Sequence, residues 1–161
     1  MRETNKISTI DPNEGAILKI AGGEYRIVIS GKQTDGKFAV IEMSIPPGAG
    51  PNPHSHTDIE ESFYVLEGEI NFQSQLGNYI AKKNSFINIP LGGMIHGFKN
   101  LTNTPAKLLC TVIPAGLDSF FEELSSYLEN SDTNSENETK EKIKIISEKY
   151  GQKLYPENYF E

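Results

Sequence analysis

Turn residues constrain this chain more than any other feature. From Gly15 to Gly116, glycine and proline recur densely, and between them lie short runs rich in Val, Ile, Phe and Tyr. Tyr25-Arg26-Ile27-Val28-Ile29, Phe38 to Met43, Ser62 to Leu66, Ser85 to Ile89 and Lys107 to Ile113 are each of strand length and bounded by turn formers. That pattern predicts an all-β barrel or sandwich. Several runs are apolar on both faces, which calls for cover on both sides: the barrel interior on one, a neighbour such as a second copy in a jelly-roll dimer on the other. Gly31 to Gly36 and Leu66 to Glu69 read as hairpin connections.

The pattern changes after Gly116. Asp118 is placed to cap a helix whose Phe120, Phe121, Leu124, Tyr127 and Leu128 repeat at helical spacing. Residues 129–137 are polar and read as a flexible linker. Ser135 and Glu138 then make a capping box for a second helix, Thr139, Ile143, Ile146 and Tyr150 form one stripe, and Gly151 stands where a helix stops. An amphipathic helix of this kind more often covers its own domain than a partner. The expected division is an N-terminal arm over 1–22, a β-barrel over 23–115 and a helical tail over 116–161.

Composition narrows the partners. A formal net charge of −7 disfavours nucleic acid and anionic membrane surfaces, which bind basic faces. The first eight residues, MRETNKIS, lack the apolar core of a secretion signal, and no run has the length of a membrane span. Cys110 is the single cysteine, so no intrachain disulfide forms, which fits a reducing compartment; a cytoplasmic location is expected. Cys110 itself, in a continuous apolar run, reads as a core residue.

The chemistry gathers around three histidines, His54, His56 and His96, which are all the chain has. In a strand, His54 and His56 face the same side, so two imidazoles can converge on one ion. Glu60 and Glu61 follow at the start of an apolar strand, where a carboxylate needs a cation or a hydrogen-bonding partner. His96 opens another strand, with Phe98 and Asn100 alternating after it. A metal-free arrangement, with each histidine satisfied by hydrogen bonds, is the alternative.

The spacing is more specific than any one residue. Gly48, five residues, His54-x-His56, four residues, Glu61, six residues, Gly68 resembles the first signature of the cupin superfamily at every fixed position. Asn84, Pro90, Gly92 or Gly93, His96 and Asn100 resemble the second, with Asn84 in place of its first glycine and one extra residue between Pro90 and His96. Pro46 to Pro51, Glu61 to Gly68 and the stretch from Pro105 to Leu124 are similar to bacterial single-barrel cupins of the quercetin 2,3-dioxygenase-like group. The resemblance implies a double-stranded β-helix, or jelly-roll barrel, with a C-terminal pair of helices. It also implies one divalent transition metal (Fe, Ni, Mn, Cu or Zn) held by His54, His56, Glu61 and His96, and it selects Glu61 over Glu60.

What such a site does remains open at this level, since one fold hosts many reactions. The resemblance implies a dioxygenase acting on a small enol or phenol, flavonol-like in kind, with Glu61 as both ligand and base. Phe63 and Phe98 share strand parity with Glu61 and His96 and are candidates for binding substrate, or equally for the barrel core. A binding module without turnover and a metal-dependent isomerase or epimerase are the alternatives. The partners expected are a small-molecule ligand and a second copy of the chain.

Overall fold

The computed structural model describes residues 6–161. Its strands fall into two antiparallel sheets. The first is built from β1 (Ile17–Ile20), β2 (Gly23–Ile29), β3 (Ala39–Ile45), β5 (Glu60–Glu67), β8 (Phe86–Ile89) and β10 (Ala106–Ile113), in the order β1-β2-β3-β10-β5-β8. The second contains β4 (His54–His56), β6 (Glu69–Ser74), β7 (Gly77–Lys82), β9 (His96–Lys99) and β11 (Gln152–Leu154), in the order β11-β4-β9-β6-β7. The two sheets meet through their apolar faces: the Phe63 ring of β5 lies 5.2 Å from Phe72 and 5.4 Å from Phe98 on the other sheet. Hydrogen bonding therefore gives two packed sheets, not one closed ring of strands.

Side-chain alternation sets this packing. In β3, Ala39, Ile41, Met43 and Ile45 point inward and their neighbours are half-buried; in β10, Ala106, Leu108, Cys110 and Val112 do the same. A period of two places every second residue on one face, so one run supplies both core and cover. In β5 the inward series is Glu61, Phe63 and Val65, so a carboxylate takes a core position.

The Gly31 to Gly36 turn closes the β2–β3 hairpin as expected. The Leu66 to Glu69 turn does not close a hairpin. Gly68, with φ +76°, redirects the chain from β5 in one sheet to β6 in the other, and the two strands never pair. A turn residue fixes local backbone direction, whereas pairing depends on which apolar faces meet. The 1–22 segment contributes β1, which pairs along its length with β2.

The helices are α1 (Leu117–Glu129) and α2 (Glu136–Lys149). Asp118 is not the cap of α1. Gly116 holds that position, and Asp118 sits buried in the first turn, accepting hydrogen bonds from the Gly116 N–H at 3.0 Å and the Gly31 N–H at 2.8 Å. It thus ties the start of the helix to the β2–β3 hairpin. The Ser135–Glu138 capping box forms on α2, and Ile143, Ile146 and Tyr150 face the core, so the helix covers its own domain. Gly151 ends it at φ +77°. The tail is not wholly helical: β11 follows, pairing with β4 at Gln152↔His56, Lys153↔Ser55 and Leu154↔His54. Three residues are too few to show a period, and their strand state comes from the neighbour they meet. No helix among the described residues is long and apolar enough to cross a membrane.

Candidate metal centre and its cavity

Three elements deliver the four expected ligands. β4 carries His54 and His56, β5 carries Glu61 and β9 carries His96, with His54 and His96 paired across the strands. The loop leading into β4 is held close over β9: at Gly50 (φ +148°) any Cβ would collide with the Phe98 carbonyl oxygen. Asn100 fixes the other end. Fully buried, it donates to the carbonyls of Ile45 (3.0 Å) and Thr104 (2.8 Å) and accepts from the Thr102 N–H (3.0 Å). The longer turn before His96 is absorbed by Gly92 and Gly93, both at positive φ, and Asn84 adopts φ +72°, where glycine would be at ease. His96 reaches the cluster despite the extra residue.

The ligand-type atoms of His54, His56, Glu61 and His96 all lie within 4.8 Å of one another, and all four residues are buried. Each imidazole is oriented from behind. Nδ1 of His54 lies 2.8 Å from the Asn52 carbonyl, that of His56 3.0 Å from Ile59 and that of His96 2.8 Å from Met94. A carbonyl only accepts, so each Nδ1 carries the hydrogen and each neutral ring turns an Nε2 lone pair inward. Glu61 Oε2 stands 2.9 Å from His56 Nε2 and 3.4 Å from His96 Nε2. At the longer distance His96 Nε2 is left as a buried nitrogen without a hydrogen-bond partner.

Four acceptors facing one point out of water repel one another unless a cation lies between them. Without a metal, a proton on His56 serves in part. Burial alone would lower the His56 pKa, but the hydrogen bond and charge of Glu61 outweigh it and raise it. Burial would raise that of Glu61, yet the His56 and His96 contacts hold it well below the usual carboxylate range. For His54, burial and the neighbouring His96 lower it to about 4, so this ring is neutral near pH 7. A neutral His54, an ionised Glu61 and a partnerless His96 nitrogen are the donor set a divalent transition metal takes. The four residues fit one such ion.

Glu60 is not part of this cluster. It lies on the opposite face of β5, where Asn88 Nδ2 donates to its Oε1 at 3.1 Å. Cys110 is core, as expected, but it also touches the site: its Sγ donates to Glu61 Oε1 at 3.3 Å. Burial, then the charge of Glu61, push the thiol pKa up, so it keeps its hydrogen. Only the β10–β5 register, Cys110↔Phe63 and Val112↔Glu61, brings the two together, and the sequence around Cys110 gives no sign of it.

His54 and Glu61 border a cavity of about 340 Å³. Phe63 and Phe98 also border it, while their rings stack into the core with Phe72. Its far wall comes from the tail: Leu117, Phe120, Phe121 and Leu124 of α1, and Ile143 of α2. No lysine or arginine lines it. The helical stripe indicates only that these residues are buried, not that they border a cavity.

A family model described as a cupin domain matches residues 41–112, which hold all four cluster residues. The chain is 27% identical over 115 residues to quercetin 2,3-dioxygenase of Bacillus subtilis, covering 71% of this chain and 34% of that protein, so it spans about a third of that relative's length. Among solved structures, a predicted oxalate decarboxylase from Thermotoga maritima superposes with a TM-score of 0.60 at 23% identity, over 66% of this chain and 99% of the other. A sugar phosphate isomerase of the cupin superfamily from Silicibacter pomeroyi gives 0.53, also at 23% identity, over 59% of this chain and 61% of the other. These structural likenesses speak for the fold, and the three relatives carry three different chemistries. The family match lies over the strands that bring the histidines together, so residues 41–112 of this chain match a cupin domain in sequence, and the chain shares its fold with cupin structures.

Proposed function

We propose that the chain is a metal-dependent, dioxygenase-like enzyme acting on a small, largely apolar enol or phenol, flavonol-like in kind. The observation that carries this reading is the junction of the two features above. A buried four-acceptor cluster borders, through His54 and Glu61, a mostly apolar cavity of about 340 Å³ that no lysine or arginine lines. Cavities of this size and character suit ring-sized organic ligands. A sugar phosphate would want a cationic anchor on the wall, and the absence of lysine and arginine there disfavours the isomerase reading.

In this reading His54, His56, Glu61 and His96 hold one divalent transition metal, which supplies a Lewis-acidic, redox-capable centre for the substrate oxygen and dioxygen. The backbone carbonyls of Asn52, Ile59 and Met94 keep the three rings aimed inward. Glu61 is ionised at neutral pH and can take the hydroxyl proton of the substrate. Cys110 turns Oε1 away from the histidines and leaves Oε2 facing them. Phe63 and Phe98 exclude water and present an apolar surface to the substrate ring.

The homodimer belongs to the same proposal. Tyr64 and Phe86 pair across β5 and β8 and both are exposed, an apolar outer face that a second copy would cover. Light scattering after gel filtration reads it directly, and a monomeric mass removes it.

Elemental analysis of gently purified protein, with oxygen uptake on a flavonol panel, tests the enzyme. Stoichiometric redox-capable metal with oxygen consumption is expected. Metal without oxygen uptake would favour a binding module without turnover. No metal after reconstitution with several ions would overturn the reading.

A further inference from the structure

Two buried side-chain polar atoms among the described residues lack a hydrogen-bond partner: His96 Nε2 and Gln152 Nε2. The first belongs to the metal cluster. The second is not accounted for by it, because an amide nitrogen carries hydrogens and donates only. Gln152 is 6% exposed and borders the same cavity as His54 and Glu61.

Its position follows from the register. Gln152 of β11 lies directly opposite His56 of β4. Opposed residues of an antiparallel pair send their side chains to the same face, with Cβ atoms about 5 Å apart. Gln152 therefore stands beside the metal cluster on its cavity side. The hydroxyl of Ser147, another polar group on this wall, is already committed to the Ile143 carbonyl at 2.8 Å. The Gln152 amide is a buried donor without an acceptor, whereas buried polar groups are ordinarily hydrogen-bonded.

We propose that Gln152 is a ligand-recognition residue that donates to an acceptor oxygen of the molecule bound in the cavity. The ligand class is then sharper than an enol or phenol alone. It is an apolar ring system bearing two neighbouring oxygens, a hydroxyl that faces the His54, His56, Glu61 and His96 cluster and a carbonyl that accepts from Gln152. This rests on the metal-and-cavity reading above. Gln152 lies outside the 41–112 cupin match, so selection of the ligand is a property of this chain's tail.

The test uses the full chain with its metal and two probes, 3-hydroxyflavone, which has the hydroxyl–carbonyl pair, and 2-naphthol, which has the hydroxyl alone. Binding is followed by probe absorbance for wild type, Gln152→Leu and Gln152→Glu. Expected is a loss of about tenfold or more in 3-hydroxyflavone affinity in both variants, larger for the glutamate, which repels an acceptor oxygen. Binding of 2-naphthol to Gln152→Leu should stay within about twofold of wild type, because this probe has no carbonyl to accept from Gln152 and the packing changes little. Metal content should be unchanged. Undiminished 3-hydroxyflavone binding in both variants overturns the role of Gln152 while leaving the cavity reading intact. Equal weakening of both probes, or loss of metal, makes Gln152 a packing or scaffold residue and also overturns it. Failure of wild type to bind either probe removes the cavity reading itself.

Discussion

The two sides of the cavity are built on opposite principles. One is a cluster of polar groups held by short strands: His54, His56, Glu61 and His96, each oriented by a hydrogen bond or neighbouring charge. The other is a mostly apolar wall from α1 and α2, joined by Gln152 of β11, in which Ser147 and Gln152 are the polar side chains. The first lies within the part of the chain that matches the family, and most of the second lies outside it. Chemistry that must place four atoms around one ion tolerates little variation, whereas a wall of Leu, Ile and Phe can be redrawn without unfolding the domain. The contrast teaches that the candidate metal cluster and most of the far cavity wall come from separable regions of the chain.

The hardest test of that separation is to break the polar side. Glu61→Ala or His54→Ala should abolish tight metal binding, by more than roughly a hundredfold, while circular dichroism still reports folded sheets. Full metal retention in both variants would sink the assigned cluster. On the apolar side, Leu124→Ala should cost roughly 2–5 kcal/mol in denaturant unfolding, as large-to-small core changes do, yet leave metal stoichiometry untouched. Metal loss in that variant would mean the two regions are not separable.

Acid distinguishes them further. The folded-state pKa of His54 lies near 4, below its ordinary 6.5, so the unfolded chain takes up a proton that the folded one refuses. Its contribution is present above pH 6.5 and is lost as the pH falls toward 4, by up to roughly 3 kcal/mol. His56 acts in reverse: its raised pKa stabilises the metal-free fold at low pH, and that contribution disappears as pH rises through the raised value. Unfolding of metal-free wild type and His54→Gln from pH 7 to pH 4 should show a shallower decline in the variant. Parallel curves would rule out His54 as the acid-sensitive group. The mildest change is Cys110→Val, which removes the thiol donor to Glu61 Oε1 while keeping an apolar side chain of similar size. Metal affinity should fall about tenfold, read by competition with a chelator.

How much of this the sequence announces divides along the same line. The ligand set is legible because strand parity and motif spacing are rigid: His54-x-His56 must share a face, and the resemblance to the cupin signature selects Glu61 over Glu60. Five of the six strands of the first sheet, β1 excepted, are legible as short Val-, Ile-, Phe- and Tyr-rich runs bounded by turn residues, and α2 is legible from its capping box. What is not legible depends on distant partners. Leu66 to Glu69 carries the residues of a hairpin, yet it links two sheets. Asp118 has the type of a cap, yet it anchors a neighbouring turn. Cys110 and Gln152 gain their positions from the registers of β10 on β5 and β11 on β4, which no local pattern encodes.

The short strand β4 has one further consequence. It holds two of the four ligands, and its neighbours are β9 on one side and β11 on the other. During synthesis, the second neighbour emerges roughly a hundred residues after the histidines it flanks. A growing chain that has made every ligand still presents β4 with an open hydrogen-bonding edge, and an open edge invites the wrong strand. The arrangement in which β4 is paired on both sides thus belongs to a chain that already includes β11, and the order of folding bears on when the four candidate ligands are held in place.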